Sequence, residues 1–518
     1  MKLTLTLMLL LALTVFSACG GESGSAPGSV LNRGIVIDPE TLDAHKARSD
    51  QAADVLRDIG EGLVSYSANG ELVPGVATEW AVSDDGLTYT FHLRPEAKWS
   101  NGEAVTAKHF VFAFERLVDP KTAAFYAQLL GDIAGLEVPD DHTLVIKLSQ
   151  PTAYLISLLT HPATFPMHPG SIEEHGDSFA RPGNLVSNGA YVLADWVPGS
   201  MLTLKRNPHY WNDAATSIDE VRHHIITQDT TELARYRAGE IDVTGTVPPD
   251  SFKQVREEFG DQLRASPRLG IYYYGFNLTK PMFKDEPELR QALSMAIDRE
   301  LLVQKITARG ETPAYSWVPP GVDNYTPPTF SYATLSQQER NQIARRLYEK
   351  AGYSEEKPLR FELRYNTSDT QKRVALAIQS MWADVLGAEA TLVNEEFQVL
   401  LANIQAREVT EVFRLSWTGN YNDAHTFLNN LRSANAANMP GYKSEEYDSL
   451  MQRASEQVDT GRRRLYLEEA ERSMLADHPV IPIYFYVNKH LVSPRVEGWG
   501  DNVLDYHYSS HLSLKAAE

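Results

Sequence analysis

The sequence is poor in cysteine, in basic residues and in long apolar runs. Cys19 is the one cysteine among 518 residues, so no disulfide can form within the chain. The 68 Asp and Glu residues outnumber the 48 Lys and Arg residues, which gives a net charge of −20. Because phosphate binding requires clustered Lys and Arg, this balance argues against a nucleic-acid partner. After residue 19, no apolar run reaches the length of about 18 residues that a transmembrane helix needs.

Motifs of catalysis and metal binding are missing as well. The sequence contains no G-x-S-x-G elbow, H-E-x-x-H pair, Walker loop, dinucleotide fingerprint or paired-cysteine metal site. His161, His168 and His175 have a spacing of seven, but prolines and a glycine between them break any helix that would align them. His223 and His224 are adjacent in a predicted strand and therefore point to opposite faces. We expect no enzymatic activity, no cofactor and no metal ion.

Residues 1–18 have the pattern of a secretory signal peptide. Lys2 is followed by an apolar segment, Leu3 to Phe16, that is too short to span a bilayer. Ser17 and Ala18 then precede Cys19, an arrangement similar to a bacterial lipobox, which predicts lipidation of Cys19. The alternative is an ordinary signal peptide with an incidental cysteine. Both interpretations predict export, and residues 19–29 then form a flexible tether.

The rest of the chain predicts a large protein of mixed α/β (α+β) class. With 43% hydrophobic and 10% aromatic residues it can bury a large core, and its length suits about three domains. A helix is predicted over Asp54–Gly62, followed by a hairpin turn at Asp85-Gly86 and a helix that Thr106 caps. Further along, Ile241–Val243 is predicted as a strand of an α/β lobe.

The clearest pattern lies between residues 336 and 417. Ser336 and Glu339 form a capping box at the start of a helix. Residues 359–366, 392–396 and 412–417 then alternate as strands with helices over 369–387 and 398–406. The right-handed crossover rule makes these three strands parallel, and ligands bind beyond the carboxyl ends of such strands.

The last of these strands ends in an unusually polar and aromatic stretch. Trp417, Thr418, Gly419, Asn420 and Tyr421 follow one another there. Taken alone, the stretch is equally consistent with a loop that covers the strand end. Because the crossover rule places three polar or aromatic strand tips on one rim, we favour a ligand-binding site.

Ordered blocks along the chain carry a resemblance to a known family. They are Tyr89–Arg94 with Ala97–Gly102, Asn188–Tyr191 with Arg206–Trp211, Arg235–Asp242, Tyr365–Asp369, residues 412–430 and Val480–Tyr486. The chain resembles the bacterial extracellular solute-binding proteins of family five, in particular the oligopeptide-binding members that serve ABC importers. The similarity runs from about Thr41 to the carboxyl terminus.

The resemblance implies a two-lobed clamshell of the large three-domain type that binds an oligopeptide as an added strand. Lobe one would combine a discontinuous sheet domain, residues 30–61, 180–268 and 490–518, with a small extra domain, residues 62–179. Residues 269–489 would form lobe two. The implied partners are the permease and ATPase subunits of an ABC transporter, and the protein would be a periplasmic monomer that touches the membrane only through a lipid anchor.

The resemblance also implies functions for individual residues. Aromatic pocket positions match at Tyr126, Tyr274 and Trp417, with Phe397 in place of a Trp, and Arg414 matches a cation that meets the carboxyl end of a tripeptide. Peptide-binding members have an Asp for the ligand's amino terminus where this sequence has Asn420.

Three explanations for Asn420 remain open. Another acid, Asp423 or Asp50, supplies the missing charge, the ligand lacks a free α-amine, or the Asn carbonyl oxygen suffices at lower affinity. The alternative functions are therefore capture of a blocked peptide, an opine or a metal chelate, and an envelope sensor that binds peptide without feeding an importer. An exported hydrolase would need a nucleophile–base pair, which the sequence does not show.

Overall fold

The computed structural model describes residues 29–409, 411–419 and 421–515, so the predicted signal peptide, Cys19 and Asn420 lie outside the described residues. Its strands are β1 (Val30–Ile35), β2 (Val64–Tyr66), β3 (Leu72–Pro74), β4 (Ala77–Val82), β5 (Thr88–Leu93), β6 (Ile133–Asp140), β7 (Thr143–Leu148), β8 (Tyr191–Val197), β9 (Met201–Arg206), β10 (Glu220–Ile225), β11 (Leu263–Phe276), β12 (Thr312–Pro313), β13 (Arg360–Asn366), β14 (Glu389–Glu395), β15 (Val412–Thr418), β16 (Val480–Leu491), β17 (Val496–Glu497) and β18 (Ser513–Leu514).

The α-helices are α1 (Asp50–Ile59), α2 (Ala107–Val118), α3 (Leu155–Leu158), α4 (Pro169–His175), α5 (Asp229–Arg237), α6 (Phe252–Phe259), α7 (Pro281–Lys284), α8 (Pro287–Met295), α9 (Arg299–Leu301), α10 (Gln337–Lys350), α11 (Asp369–Leu386), α12 (Phe397–Gln405), α13 (His425–Leu428), α14 (Glu445–Ser455) and α15 (Thr460–Asp477). None of the helices among the described residues is both long and apolar enough to cross a membrane.

Helix caps follow the sequence closely. The predicted capping box between Ser336 and Glu339 is present at the start of α10. Gly387, with φ of +69°, ends α11 in the left-handed conformation that glycine adopts without strain. The helix predicted over residues 54–62 begins earlier, at Asp50, because the Ser49 side chain caps it by accepting a hydrogen bond from the amide of Ala52.

The part of the structure before residue 268 contains two four-stranded sheets and the two-stranded sheet β2-β3. One four-stranded sheet has the order β1-β10-β9-β8, and the other, within residues 77–148, has the order β4-β5-β7-β6. The predicted strand Ile241–Val243 is wrong, since Val243 forms only isolated bridges, to Arg33 and Val492. The carboxylate of Asp242 accepts the amide hydrogen of Asn32 at 2.8 Å, so a side chain replaces part of the expected ladder.

The largest sheet has the order β12-β16-β11-β15-β13-β14. Strands β13, β14 and β15 are parallel, as the crossover rule predicts. The long strands β11 and β16 are antiparallel, and their register shifts between Pro267 and Ile271. Such a register shift bends paired strands locally.

Buried apolar side chains form two large clusters. One includes residues between 31 and 243 together with Val492, Val496 and Leu512. The other includes residues between 269 and 485 together with Val503. We define lobe 1 as residues 29–268 and 490–515, and lobe 2 as residues 269–489. The sheet register shift lies where the chain passes from lobe 1 to lobe 2.

Candidate ligand-binding site

A cavity of about 410 Å³, here called the cleft, lies between the two lobes. Lobe 1 lines it with the end of β1, with α1 and with the C-terminal segment, and lobe 2 contributes Leu269, Thr418 and Gly419. Charged and polar side chains make up much of the wall, namely Arg33, Arg48, Asp50, Asp54, Arg57, His161, His223, Arg268, His490, Asp505 and His507. A wall of this kind suits a polar ligand that brings its own charges and hydrogen-bonding groups.

One edge of β15 is open at its carboxyl end. The strand pairs with β11 along its whole length, but with β13 only at Val412 and Phe413. Within the part of the chain that the structure describes, Arg414–Thr418 has no strand partner on the β13 side. Ser416 and Thr418 are exposed. An extended segment can add to such an edge as a further strand.

The turn after β15 brings the backbone to the cleft. Gly419 donates its amide hydrogen to the carbonyl of Leu269 at 2.8 Å. A Cβ atom at Gly419 would lie 2.9 Å from the Thr426 side chain and 3.0 Å from that of Phe427, so a larger residue would force both to move. Thr418 and Gly419 both line the cleft. Asn420 follows directly, outside the described residues.

Arg414 is a buried cation without an acidic partner among the described residues. Its guanidinium donates to Asn366 Oδ1 at 2.9 Å and to the Tyr486 hydroxyl at 3.1 Å, and it lies over the Tyr272 ring at 4.4 Å. The side chain is nearly inaccessible, at 5% exposure. An arginine stays protonated even when buried, so among the described residues its charge is balanced by dipoles and an aromatic face.

The aromatic residues matched to side-chain pockets lie in different environments. Tyr126 lines the cleft with its ring 4.3 Å from that of His161. Tyr274 is fully buried, whereas Phe397 is 39% exposed at the start of α12. Trp417 is half-buried against the lobe 2 core, and its indole N–H has no hydrogen-bond partner among the described residues. Of these four side chains, Tyr126 alone lines the cleft.

Tyr421 and Asp423 do not line the cleft, and both make contacts within the protein. The Tyr421 ring stacks on Tyr154 of lobe 1 at 5.0 Å, and its hydroxyl lies 2.8 Å from His425 Nδ1. The Asp423 carboxylate accepts two hydrogen bonds from Arg463, at 2.7 and 2.9 Å. Burial would raise the pKa of Asp423, but Arg463 and the His425 amide hold it below its usual value. The Asp423 charge is therefore matched by Arg463.

Other acidic groups face the cleft directly. Asp50 lies 3.7 Å from Arg268, and Asp54 lies 2.9 Å from Arg57. Burial raises the pKa of Asp54 to about 6. Asp54 was not predicted as a site residue. In the sequence, the polar face of α1 looks the same as the face of any helix that is exposed to solvent.

The histidines singled out by their spacing lie in separate environments. The Nδ1 atoms of His161 and His168 accept backbone hydrogen bonds at the starts of two short helical turns. His223 is fully buried with its Nε2 3.5 Å from Asp58, and the neighbouring His224 contacts Asn32 at 3.0 Å.

A second group missed by sequence reasoning lies on the lobe 1 wall. His490, Asp505 and His507 approach one another closely and all line the cleft. Burial would lower the pKa of His490, but the Asp505 carboxylate raises it to about 9, whereas burial lowers the pKa of His507 to about 4. No sequence motif joins a residue on β16 to two in the C-terminal segment, so only the fold brings them together.

Two lobes with separate cores, joined at bent strands and enclosing a polar cleft, define a binding protein of the clamshell type. The chain belongs to the bacterial extracellular solute-binding proteins of family 5. The model of that family, described as its middle part, matches residues 71–439.

Relatives and solved structures agree with this assignment. The chain is 38% identical to the periplasmic oligopeptide-binding protein OppA of Escherichia coli strain K12, over 92% of this chain and 90% of OppA. A structure of the periplasmic murein tripeptide-binding protein MppA in its unliganded open form has a TM-score of 0.89 at 36% identity, covering 94% of this chain and 98% of that one. Haemophilus influenzae OppA in complex with RPPGFSPFR has a TM-score of 0.71 at 34% identity, with 94% and 99% coverage.

Proposed function

We propose that this protein captures oligopeptides in the cleft and delivers them to the permease of an ABC importer. The open edge of β15 is the observation that carries the proposal, because an extended peptide can pair there through its main chain. Main-chain pairing is independent of the peptide's sequence, and the roomy, polar cleft leaves space for varied side chains and for water.

The surroundings of that edge supply charge for the end of a peptide. Arg414 lies on β15 with no acidic partner among the described residues, so a ligand carboxylate would complete its charge balance. Desolvation of a cation is costly unless an anion compensates it, which favours a ligand that brings one. The names of OppA and MppA, which identify binding proteins for oligopeptides and a murein tripeptide, agree with this ligand class.

A second candidate ligand class is favoured by Asn420 and by the ion pair at Asp423. Because Arg463 pairs with Asp423, that carboxylate is not available to a ligand ammonium. A peptide with a blocked amino terminus, or an opine or metal chelate with no α-amine, would need no counter-charge there. Native mass spectrometry of the protein purified without added ligand would identify retained cargo and separate these classes.

The remaining parts of the proposal concern location and assembly. Residues 1–18 direct export, Cys19 carries a lipid anchor, and residues 19–29 tether a monomeric periplasmic protein to the envelope. We also keep the division into a discontinuous sheet domain, a small domain of residues 62–179 and a second lobe of residues 269–489. The two separate cores support the division between the lobes.

Ligand binding is expected to close the lobes by rotation about residues 268–270 and 486–490. The register shift between β11 and β16 supports a hinge there. The greater similarity to an unliganded open form than to a peptide complex, at nearly equal identity, supports an open arrangement in the free protein. Small-angle scattering should show a smaller radius of gyration after a peptide is added.

A variant that cannot bind peptide should keep the larger radius in the same titration. An unchanged radius for the native protein, with binding demonstrated by calorimetry in the same sample, would rule out the clamshell mechanism.

Trp417→Ala is expected to lower peptide affinity more than thermal stability. The Trp417 ring is half-buried near the open edge of β15, so an added strand would cover it and change its fluorescence. Trp80→Ala serves as the matched control, because Trp80 is also half-buried but lies on β4 of lobe 1. A large fall in melting temperature with unchanged affinity would instead assign Trp417 to the core.

A further inference from the structure

We propose that His490, Asp505 and His507 form a binding site for a divalent transition-metal cation, of the zinc or nickel type, on the lobe 1 wall of the cleft. This site is separate from the open edge of β15 on lobe 2, and it does not depend on the nature of the solute. One ligand atom from each residue lies within 4.8 Å of the other two.

The donor set and its spacing fit such an ion. Asp505 Oδ1 lies 2.9 Å from His490 Nε2 and 3.1 Å from His507 Nε2. In a tetrahedral zinc site with bonds of about 2.0–2.2 Å, neighbouring ligand atoms are roughly 3.4 Å apart. Movement of the Asp505 carboxylate by about half an ångström would bring both of its distances to that spacing. The two histidine nitrogens lie within 4.8 Å of each other, so they can approach the same ion. Two imidazoles and a carboxylate are ligands that suit zinc, nickel and related ions better than magnesium or calcium.

A hydrogen bond on the side of the ring opposite Asp505 fixes the orientation of His490. Its Nδ1 lies 2.7 Å from the backbone carbonyl of Thr244, which can only accept a hydrogen bond, so Nδ1 must carry a hydrogen. The Nε2 lone pair then points at a carboxylate oxygen, and two acceptors this close require a cation between them. Either a proton or a metal ion can occupy that position. Metal-bound histidines usually donate their other ring N–H to a carbonyl or carboxylate in this way.

Contacts within the protein also position His507 and Asp505. The His507 ring stacks on Trp499 with ring centres 3.6 Å apart, and its backbone carbonyl accepts a hydrogen bond from Arg33 at 2.8 Å. Asp505 has φ of +62°, a left-handed conformation that Asp and Asn adopt more readily than most residues. Arg33 brings a positive charge near the site, but Asp58 lies 3.7 Å from its guanidinium.

All three residues line the cleft, so a bound ion would be reached from solvent. Three protein ligands leave at least one coordination position open, and that position would take water or an oxygen or nitrogen of the solute. The metal ion would take the position between His490 Nε2 and Asp505 Oδ1 that a proton otherwise fills. That proton would pass to solvent, and no other bond would be broken.

The test is a titration of the full-length protein, freed of any purification tag, with Zn²⁺ alone. Calorimetry should show one site per chain, and Co²⁺ in place of Zn²⁺ should give the intense visible absorption of a tetrahedral ion. Asp505→Asn keeps the size and backbone preference of the residue and removes the charge. His507→Ala removes one nitrogen. Each should weaken Zn²⁺ binding by roughly a hundredfold or more, since even groups that only support the metal ligands contribute about 10–100-fold.

His92→Ala is the matched control, because His92 is an exposed histidine on β5 away from the cleft. It should bind Zn²⁺ as the native protein does. The proposal is overturned if the native protein shows no stoichiometric Zn²⁺ site, or if folded Asp505→Asn binds Zn²⁺ with unchanged affinity. Peptide binding is measured separately in the presence of a chelator and tests the proposed function alone. A failure of the metal-site proposal can therefore be distinguished from a failure of the peptide-binding proposal.

Discussion

Arg414→Met is expected to weaken the binding of a tripeptide by about 2–4 kcal/mol, since loss of one partner from a buried, hydrogen-bonded charge pair typically costs that much. The Arg414 guanidinium is held by Asn366, Tyr486 and the Tyr272 ring, but no acidic side chain among the described residues neutralises it. Met keeps most of the apolar stem and removes the charge. Isothermal titration calorimetry with one tripeptide, on both proteins, measures the difference.

A ligand change identifies the cause of that loss. The C-terminal amide of the same tripeptide lacks the carboxylate, so it should bind weakly to the native protein. Its affinity should fall little further when Arg414 is replaced by Met. Arg360→Met is the control, because Arg360 is an exposed residue at the other end of β13, paired with Glu389. If acid and amide are weakened equally by Arg414→Met, the residue supports the fold of the site and does not meet the ligand carboxylate.

Asn420→Asp is expected to strengthen the binding of free-amine peptides by about 1–3 kcal/mol, the usual contribution of a hydrogen bond to a charged group. Asn and Asp have nearly the same shape, so the substitution adds a charge without demanding new space. Peptides with an N-acetyl group carry no ammonium and should gain nothing. Calorimetry with one tripeptide and its N-acetyl form, on both proteins, measures the free energy of interaction between residue 420 and the ligand ammonium.

Asn212→Asp is the charge control, because Asn212 is exposed on lobe 1 and the substitution adds the same charge outside the cleft. The native protein is expected to bind free-amine peptides weakly. If it already prefers the free amine by about a hundredfold, or ~2.7 kcal/mol, another carboxylate supplies the charge. Asp423 is paired with Arg463, so Asp50 and Asp54 on the cleft wall would then be the first residues to replace.

Most local elements and their order could be predicted from the amino-acid sequence. Capping residues such as Ser336 and Gly387 act within one turn of the chain, so they can be identified without knowledge of the fold. The parallel arrangement of β13, β14 and β15 also followed from the sequence, because a helix between successive strands is the usual crossover connection of a parallel sheet. Where local signals were weak, as at Ile241–Val243, the Asp242 carboxylate accepts a hydrogen bond from the Asn32 amide in place of strand pairing, and the predicted strand was wrong.

The set of side chains that share the cleft depends on contacts between segments far apart in the chain. Asp423 looked available in the sequence, but the fold supplies Arg463 from a helix 40 residues further along the chain. His490, Asp505 and His507 form no motif, because β16 and the C-terminal segment meet only after folding. The open edge of β15 likewise depends on where β13 diverges from it. Contacts between distant segments depend on the packing of whole elements, and a sequence records such packing only indirectly.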